Sequence, residues 1–314
     1  MSFNKADKGS EVKSVTVQSE STGLYRRLLW LAASLSILLI FSFLWLRVPA
    51  FKLYIEGVDS HFYYFLGAGF VFAMIDGAIG MSYGVTSTTF AISMGIPPAS
   101  ASTAVHLSEV LSNGIAGYMH KKMGNVNKHL LKKLLLPGII GAVAGAFLLS
   151  SLEHYSHYTK PVVSLYTFIL GIMILSKAFN ANRKKSERKK RKIKRIGLLG
   201  FGGGFVDAVG GGGWGSIVLS SLIAGGRNPR FSLGTVKYSR FFIALLSSLT
   251  FVTMLNVLQW DAILGLIIGS AVASPIATRV SNKISVKSIM VAVGIIVILA
   301  SLRSIFNFTS SFLQ

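Results

Sequence analysis

The sequence contains no cysteine and only 11 acidic residues, against 32 lysines and arginines, in 314 residues. Without thiols, a disulfide framework and a thiolate metal site are both excluded. The acidic residues are scattered singly, and no two histidines have the His-x-x-x-His spacing of a helical metal site. We therefore expect no metal, no cofactor and no enzymatic activity, although a membrane-embedded enzyme or sensor stays open as a third alternative.

Apolar residues, by contrast, make up 52% of the chain, and they occur in long runs. About 20 consecutive apolar residues are needed for a helix to cross a hydrocarbon layer of about 30 Å. Seven runs approach or exceed that length, far more than a soluble domain of this size contains. The sequence therefore predicts an all-α polytopic membrane protein. The seven predicted spans are Leu28–Leu46, Ala101–Met119, Leu134–Leu152, Pro161–Phe179, Leu233–Leu258, Ala262–Ala277 and Ile289–Phe306.

The net charge of +21 first suggests nucleic acid, and the tract Arg183–Arg195 has the composition of a nucleic-acid-binding segment. That tract joins two apolar segments, however, and basic excess in such a loop is typical of the cytoplasmic side of a membrane. We expect the loop to contact anionic lipids, and we expect no nucleic acid. Arg26 and Arg27 before the first run place the N-terminus in the cytoplasm.

The charge pattern and the glycine content divide the chain into five parts. Residues 1–23 are polar and predicted to be a disordered cytoplasmic tail, and residues 24–60 form one extra N-terminal span with an outer linker. Residues 61–180 form a first repeat, residues 181–195 a basic cytoplasmic loop, and residues 196–314 a second repeat. Within the first repeat, the glycine-interrupted segment His61–Ile96 has to return to the side that it enters from, which indicates a re-entrant helical hairpin.

The two repeats are recognisable in the sequence. IDGAIGMSYG, from Ile75, aligns without a gap with VDAVGGGGWG, from Val206, at an offset of 131 residues. Eight identities fall between Asp76 and Ser108, where average composition gives about two or three. Three crossings separate the two hairpins, so the copies face opposite ways. The fold class is thus two inverted-topology repeats, each a glycine-broken re-entrant hairpin with about three transmembrane helices.

Broken helices at matching positions of inverted repeats are the best sequence indication of a secondary transporter's site. Unwound backbone at membrane depth is tolerated where it is buried in protein or lines a wet cavity. There, N–H groups at the starts of half-helices favour an anion. The alternative is that the glycines serve only close helix packing. The predicted substrate-binding residues of the two hairpins are Gly80, Ser82, Tyr83, Gly84, Gly211, Gly212, Gly213 and Trp214.

The helix after each hairpin carries two ionisable residues three positions apart, and therefore on one helical face. His106 and Glu109 occupy these positions in the first repeat, and Lys237 and Arg240 occupy them in the second. We predict that Lys237 and Arg240 bind an anion and that His106 contacts it; the alternative is that both cations snorkel to the interface. Glu109 either neutralises Arg240 or takes up a proton for coupling.

Asp76 and Asp207 lie just before the two glycine turns, where a carboxylate commonly caps the start of a helix. An acid repels an anion, so we favour capping over substrate contact for both. Together with Glu109 they form a set of coupling or structural acids.

The motifs MIDGAIGMSYG and GIPPASASTAVHLSEV in the first half, with FVDAVGGGGWGSIV and GGRNPRFSLGTVKYSRFF in the second, resemble the sulfite exporter TauE/SafE family of bacterial membrane transporters. The resemblance covers roughly residues 60–305. It implies a permease for small sulfur-containing anions in the bacterial inner membrane, built from inverted repeats and driven by coupled ions. The chain departs from the family pattern at Lys237, where relatives often have a neutral residue, and at Arg240, where they often have an acid.

The sequence therefore predicts a secondary transporter of a small sulfur-containing anion such as sulfite, thiosulfate, sulfoacetate or another organosulfonate. An anion channel of the same architecture is the alternative, which coupling to a proton or sodium gradient would distinguish. The direction of transport, the coupling ion and a homodimer all stay open at this point.

Overall fold

The computed structural model describes residues 57–180, 193, 195–280 and 286–312. Every element given below belongs to the compact unit formed by residues 59–314. Within the described residues the regular structure is helical throughout, without a strand. The predicted tail and first span, and nearly all of the basic loop, lie outside the described residues.

The first half of the unit contains five α-helices separated by short turns. They are α1 (Ser60–Ile79), α2 (Tyr83–Ser93), α3 (Pro98–Lys122), α4 (Lys128–Ser151) and α5 (Ser156–Asn180), with one short 3₁₀ turn, Glu153–Tyr155, before α5. Helices α1 and α2 together cover the segment that the sequence predicts to be a broken hairpin.

The second half repeats this order of elements. Helix α6 (Ile196–Gly210) is followed by a π-helical segment (Gly213–Leu219) and the short α7 (Ser220–Ala224), and then by α8 (Pro229–Met254), α9 (Trp260–Val280) and α10 (Val286–Phe312). The predicted span Leu233–Leu258 is thus too long at its end, because the helix stops at Met254. Leu255 already has extended backbone angles.

The breaks in the helices have the same local cause in both halves. Helix α1 ends at Gly80 (φ 74°), and helix α6 ends at Gly211 (φ 73°). A positive φ is costly for residues with a side chain and nearly free for glycine. Two further glycines with positive φ, Gly95 and Gly226, end the second arms, and a proline then occupies the first position of α3 and of α8, where it is tolerated.

The helices pack most extensively across the two halves rather than within them. Helix α1 packs on α9, and α6 packs on α4; α3 packs on α8, and α5 packs on α10. Glycines allow the backbones to approach closely in the first two pairs: Gly69 faces the backbone of Leu266, and Gly200 faces that of Leu134. The alternative role of glycine, close packing, therefore accounts for these helical glycines.

Among the described residues, three helices are long and apolar enough to cross a membrane by length and composition, namely those within Lys128–Ser151, Glu153–Phe179 and Lys287–Ser310. They coincide with three of the seven predicted spans. The predicted spans Ala101–Met119, Leu233–Leu258 and Ala262–Ala277 lie on α3, α8 and α9. Helices α3 and α8 carry the four ionisable residues discussed above, and the apolar part of α9, Trp260–Ser274, is shorter.

Candidate functional site

The two glycine turns lie against each other in the interior of the unit. A side chain added at Gly84 would collide with the carbonyl group of Gly211 and with the guanidinium group of Arg240. A side chain added at Gly211 would likewise collide with the carbonyl group of Gly84. We call the two turns, Gly80–Gly84 and Gly211–Gly215, the hairpin tips. Their direct backbone contact requires glycine at both positions.

Each tip is held by the aspartate that precedes it. Oδ1 of Asp76 accepts hydrogen bonds from the backbone N–H groups of Ser82 (2.9 Å) and Tyr83 (3.2 Å), at the start of α2. Oδ1 of Asp207 accepts one from the N–H group of Trp214 (2.9 Å). Both aspartates therefore accept hydrogen bonds from N–H groups at the starts of half-helices. The sequence predicts that these N–H groups bind an anionic substrate.

The aromatic residue of each tip is buried and anchored to the helix that follows its hairpin. The hydroxyl group of Tyr83 shares a hydrogen bond of 2.8 Å with Ser108. The indole Nε1–H of Trp214 donates to Oγ of Ser239 (3.3 Å) and to the carbonyl oxygen of Val236 (3.2 Å). These two anchors are equivalent under the offset of 131 residues, and they fix each tip relative to α3 or α8.

Lys237 and Arg240 point into the protein, so the alternative that they snorkel to an interface does not describe them. Nζ of Lys237 lies 2.6 Å from Oδ2 of Asp76, and the two side chains are each 11% exposed. An ion pair at this depth has lost most of its hydration, so it depends on this close geometry. The pair joins α8 to the tip of the other hairpin.

Arg240 is deeper, with 2% of its side chain exposed, and it bonds to two acids. Its NH2 group lies 2.6 Å from Oε1 of Glu109 and 3.3 Å from Oδ1 of Asp207, and its Nε donates to Oε2 of Glu109 at 3.0 Å. A fork of this kind is the geometry that guanidinium groups favour with carboxylates. Arg240 thus connects α3, α6 and α8 next to the contact between the tips.

His106 completes this cluster. Its Nδ1 lies 2.8 Å from the carbonyl oxygen of Ser102, which can only accept, so Nδ1 carries the hydrogen. In the neutral ring Nε2 is then an acceptor, and it faces Oδ2 of Asp207 at 3.9 Å. Within the described part of the chain, neither of these two atoms has a hydrogen-bond partner. At 3.9 Å the two atoms are too far apart for a hydrogen bond, but a proton on Nε2 would form an ion pair with the carboxylate.

Three of these residues, His106, Glu109 and Asp207, offer ligand atoms within 4.8 Å of one another, a spacing that fits a metal ion. The guanidinium group of Arg240 already contacts both carboxylates, so a cation would have to displace it. The expectation that no metal binds here stays a prediction.

The structure brings all of the sequence-predicted site residues into the buried region around the tips. These are Asp76, Gly80, Ser82, Tyr83, Gly84, His106, Glu109, Asp207, Gly211, Gly212, Gly213, Trp214, Lys237 and Arg240. Their burial places them together, but it does not test which of them contact a substrate.

One residue near the tips was missed by the sequence analysis. Lys177, near the end of α5, lines a small cleft together with Ser82 and Ser216. Its position near the end of a predicted span made it look like an ordinary helix-terminal lysine. The sequence does separate Lys177 from the basic tract, because no charged residue lies between Lys177 and Arg183.

Comparison with known proteins agrees with this geometry. The family model described as "Sulfite exporter TauE/SafE" matches residues 65–304, which include both hairpin tips and all of the buried cluster. The chain belongs to the TauE/SafE family. A curated relative in this comparison, "Probable membrane transporter protein YtnM" of Bacillus subtilis (strain 168), is 37% identical over 244 residues, 76% of this chain and 81% of the relative. No solved structure is significantly similar to the chain.

Family membership and the named relative make this protein a multi-pass membrane transporter, as the sequence analysis predicted. The TauE/SafE assignment is confirmed, and so is the all-helical class with apolar spans.

Proposed function

We propose that this TauE/SafE protein is a secondary transporter that moves a small sulfur-containing anion across the bacterial inner membrane by alternating access. Sulfite, thiosulfate, sulfoacetate and other organosulfonates are the candidate substrates. The family description names sulfite export, and the observation that carries the proposal is the buried cluster of cations and carboxylates at the two tips.

Alternating access is proposed because the two halves relate to each other as inverted repeats would. The glycines with positive φ recur at the same offset, as Gly80 with Gly211 and Gly95 with Gly226. The packing recurs as well, since α1 packs on α9 and its counterpart α6 packs on α4. Two halves that pack mainly on each other can rock between two arrangements without disrupting either half.

The re-entrant course of each hairpin has its own support. His61, at the start of α1, and Met94–Pro97, after α2, line one cleft, so both ends of the first hairpin lie together. In the second hairpin, Ile193 precedes α6 and approaches Gly225, which follows α7. Each chain segment therefore turns back at its tip, and the tips of the two hairpins meet in the interior.

The ion pairs explain how such a cluster could exchange an anion. Lys237 and Arg240 face three carboxylates, which leaves one excess negative charge when His106 is neutral. An anion cannot approach such a cluster favourably until a carboxylate withdraws or a proton enters. The paired acceptors His106 Nε2 and Asp207 Oδ2 provide a place for that proton. We therefore propose a proton as the coupling ion.

This arrangement supports a transporter over the channel of similar architecture. The cations that would attract an anion are saturated by internal carboxylates, and the tips touch. Such a closed cluster needs a conformational change in each cycle, whereas a channel keeps weak and accessible sites along its pore.

Flux of radiolabelled sulfite and sulfoacetate into proteoliposomes, with and without a pH gradient, tests the proposal. We expect gradient-dependent uptake by the wild type and at least about a tenfold loss in Arg240→Gln, since neutralising a buried ion-pair partner removes several kcal/mol. Arg303→Gln, on the exposed surface of α10, is the matched control and should retain wild-type flux. If no sulfur anion moves, or if Arg240→Gln matches the control, the proposed function is wrong.

A further inference from the structure

A small cleft reaches the first hairpin tip from the side of the unit where α5 ends. Its walls include Ile174 and Lys177 of α5 and Met290 of α10, and its inner end is formed by Ser82 and Ser216 of the two hairpins. The cleft has room for about one water molecule. It is distinct from the cluster around Arg240, because none of the cluster's ionised residues lines it.

Lys177 is the cation of this cleft, and its partners are neutral. Nζ donates to the carbonyl oxygen of Ser216 (3.3 Å) and to Oγ of Ser220 (3.0 Å). Within the described residues no carboxylate lies within ion-pair distance of it. A lysine within an apolar helix is costly and generally marks a function. Lys237 and Arg240, in contrast, are already neutralised by acids.

Ser82 supplies a second, independent indication of a ligand. Its side chain is 1% exposed, and its Oγ has no hydrogen-bond partner within the described part of the chain. A buried hydroxyl group left unpaired is unfavourable, because it has lost its hydrogen bonds to water without replacing them. Ser82 is also the residue that precedes helix α2; its backbone N–H is taken by Asp76, so the hydroxyl group is what Ser82 offers to a ligand.

We propose that Lys177 and Ser82 form a docking site for the transported anion, which the anion occupies before it reaches Lys237 and Arg240. The inference rests on the proposed function, since it assigns the first contact of the same substrate. An oxyanion between the two side chains accepts hydrogen bonds from the ammonium group and from the Ser82 hydroxyl. The cleft has to widen between α5 and α10 to admit it.

The site belongs to one side of the protein only. The offset of 131 residues relates Lys177 to Phe308, whose ring packs on the ring of His157 with centroids 5.0 Å apart. The second half of the chain thus has the apolar ring of Phe308, and no cation, at the position where the first half has Lys177.

Flux kinetics test the docking role. In Lys177→Gln we expect the KM for labelled sulfite to rise at least about fivefold, because one unit charge a few ångströms from an anion is removed. Lys177→Arg should retain most of the affinity. Lys160→Gln is the matched control, since Lys160 lies on the same helix and donates to the carbonyl oxygen of Gly95 (2.6 Å) at its other end. An unchanged KM in Lys177→Gln overturns the inference.

A labelling experiment keeps the inference testable even if sulfite is not a substrate. The chain has no cysteine, so Ser82→Cys introduces a single thiol. We expect it to react faster with an anionic than with a cationic methanethiosulfonate reagent of similar size. Adding Lys177→Gln should reduce this rate ratio at least about fivefold, whereas adding Lys160→Gln should leave it unchanged.

The two readouts separate the possible failures. A thiol that is unreactive with both reagents, or a rate ratio that Lys177→Gln does not change, contradicts the docking site. Absence of flux for all sulfur anions contradicts the proposed function instead, while a charge-dependent labelling ratio still supports an anion-attracting cleft at Lys177.

Discussion

The ion pair between Asp76 and Lys237 allows a quantitative prediction about stability. Asp76→Asn removes the charge that lies 2.6 Å from Nζ of Lys237. Lys237, a residue that is only 9% exposed, is then left without an acid partner. Removing one member of a buried ion pair costs about 3–5 kcal/mol. The asparagine still offers an oxygen to the N–H groups of Ser82 and Tyr83, so we expect the lower end, about 3 kcal/mol.

The second mutation of this double-mutant cycle, Lys237→Met, is expected to raise the stability again. Adding Lys237→Met to Asp76→Asn removes the unpaired cation and replaces it with an apolar chain of similar length. Replacing both members of a buried pair by neutral residues is often close to neutral. We therefore expect the double variant to recover most of the lost stability, which gives a coupling energy of about 2–3 kcal/mol between Asp76 and Lys237.

Thermal unfolding of the purified protein in detergent, followed by size-exclusion chromatography after heating, measures this cycle. The midpoint should fall by several degrees in Asp76→Asn and return toward the wild-type value in the double variant. An exposed acid, Asp261 at the start of α9, provides the matched control through Asp261→Asn. If the single and double variants are equally destabilised, the pair does not form as described and the reasoning is refuted.

Three other predictions follow from the tips and the cluster. Gly211→Ala should abolish transport and lower the unfolding midpoint, because the φ of Gly211 is 73° and the added carbon meets the backbone of the other tip. The control is Gly202→Ala on α6, where nothing lies within 4 Å of the added carbon; it should behave like the wild type in both assays. Flux should increase as pH falls, since a proton on His106, which lies beside Asp207 and Arg240, cancels the excess negative charge of the cluster. His106→Gln should remove that increase in proteoliposomes; a persistent increase contradicts it. Trp214→Phe should lower the free energy of unfolding by about 1 kcal/mol, because the indole hydrogen bonds are lost. An unchanged unfolding midpoint would contradict that anchor.

The sequence was most informative where backbone geometry restricts the residue type. Gly80 and Gly211 were predictable as breaks because a left-handed turn inside an apolar segment selects glycine. The apolar runs that became α4, α5 and α10 were predictable for a similar reason, since lipid restricts composition along the whole helix. Both signals are local, and both can be read without knowing the tertiary contacts.

The parts that the sequence could not predict depend on contacts between distant segments. Asp76 and Lys237 are 161 positions apart, and nothing in their neighbouring residues indicates that they pair. Glu109 and Arg240 were considered as a pair because the offset places them at equivalent positions, but the third partner, Asp207, was not. Lys177 was missed because its role depends on the approach of α5 to the two tips.

The ends of elements show the same limit at a smaller scale. Leu255, Val257 and Leu258 are apolar, and composition extends the predicted span through them, yet the helix stops at Met254. The π-helical segment Gly213–Leu219 also has no periodicity that separates it from an α-helix. The segment packs against the first tip, where a side chain added at Gly215 would meet the backbone of Met81.

Simultaneous measurement of sulfite and proton movement in proteoliposomes tests the central claim most directly. With labelled sulfite and a pH-sensitive dye inside the same vesicles, the account predicts that an imposed pH gradient accumulates sulfite and that a sulfite gradient alone moves protons, at a constant ratio. Arg240→Gln should abolish both movements. Sulfite that equilibrates without moving protons, or that does not move at all in the wild type, would contradict a coupled anion transporter built on this cluster.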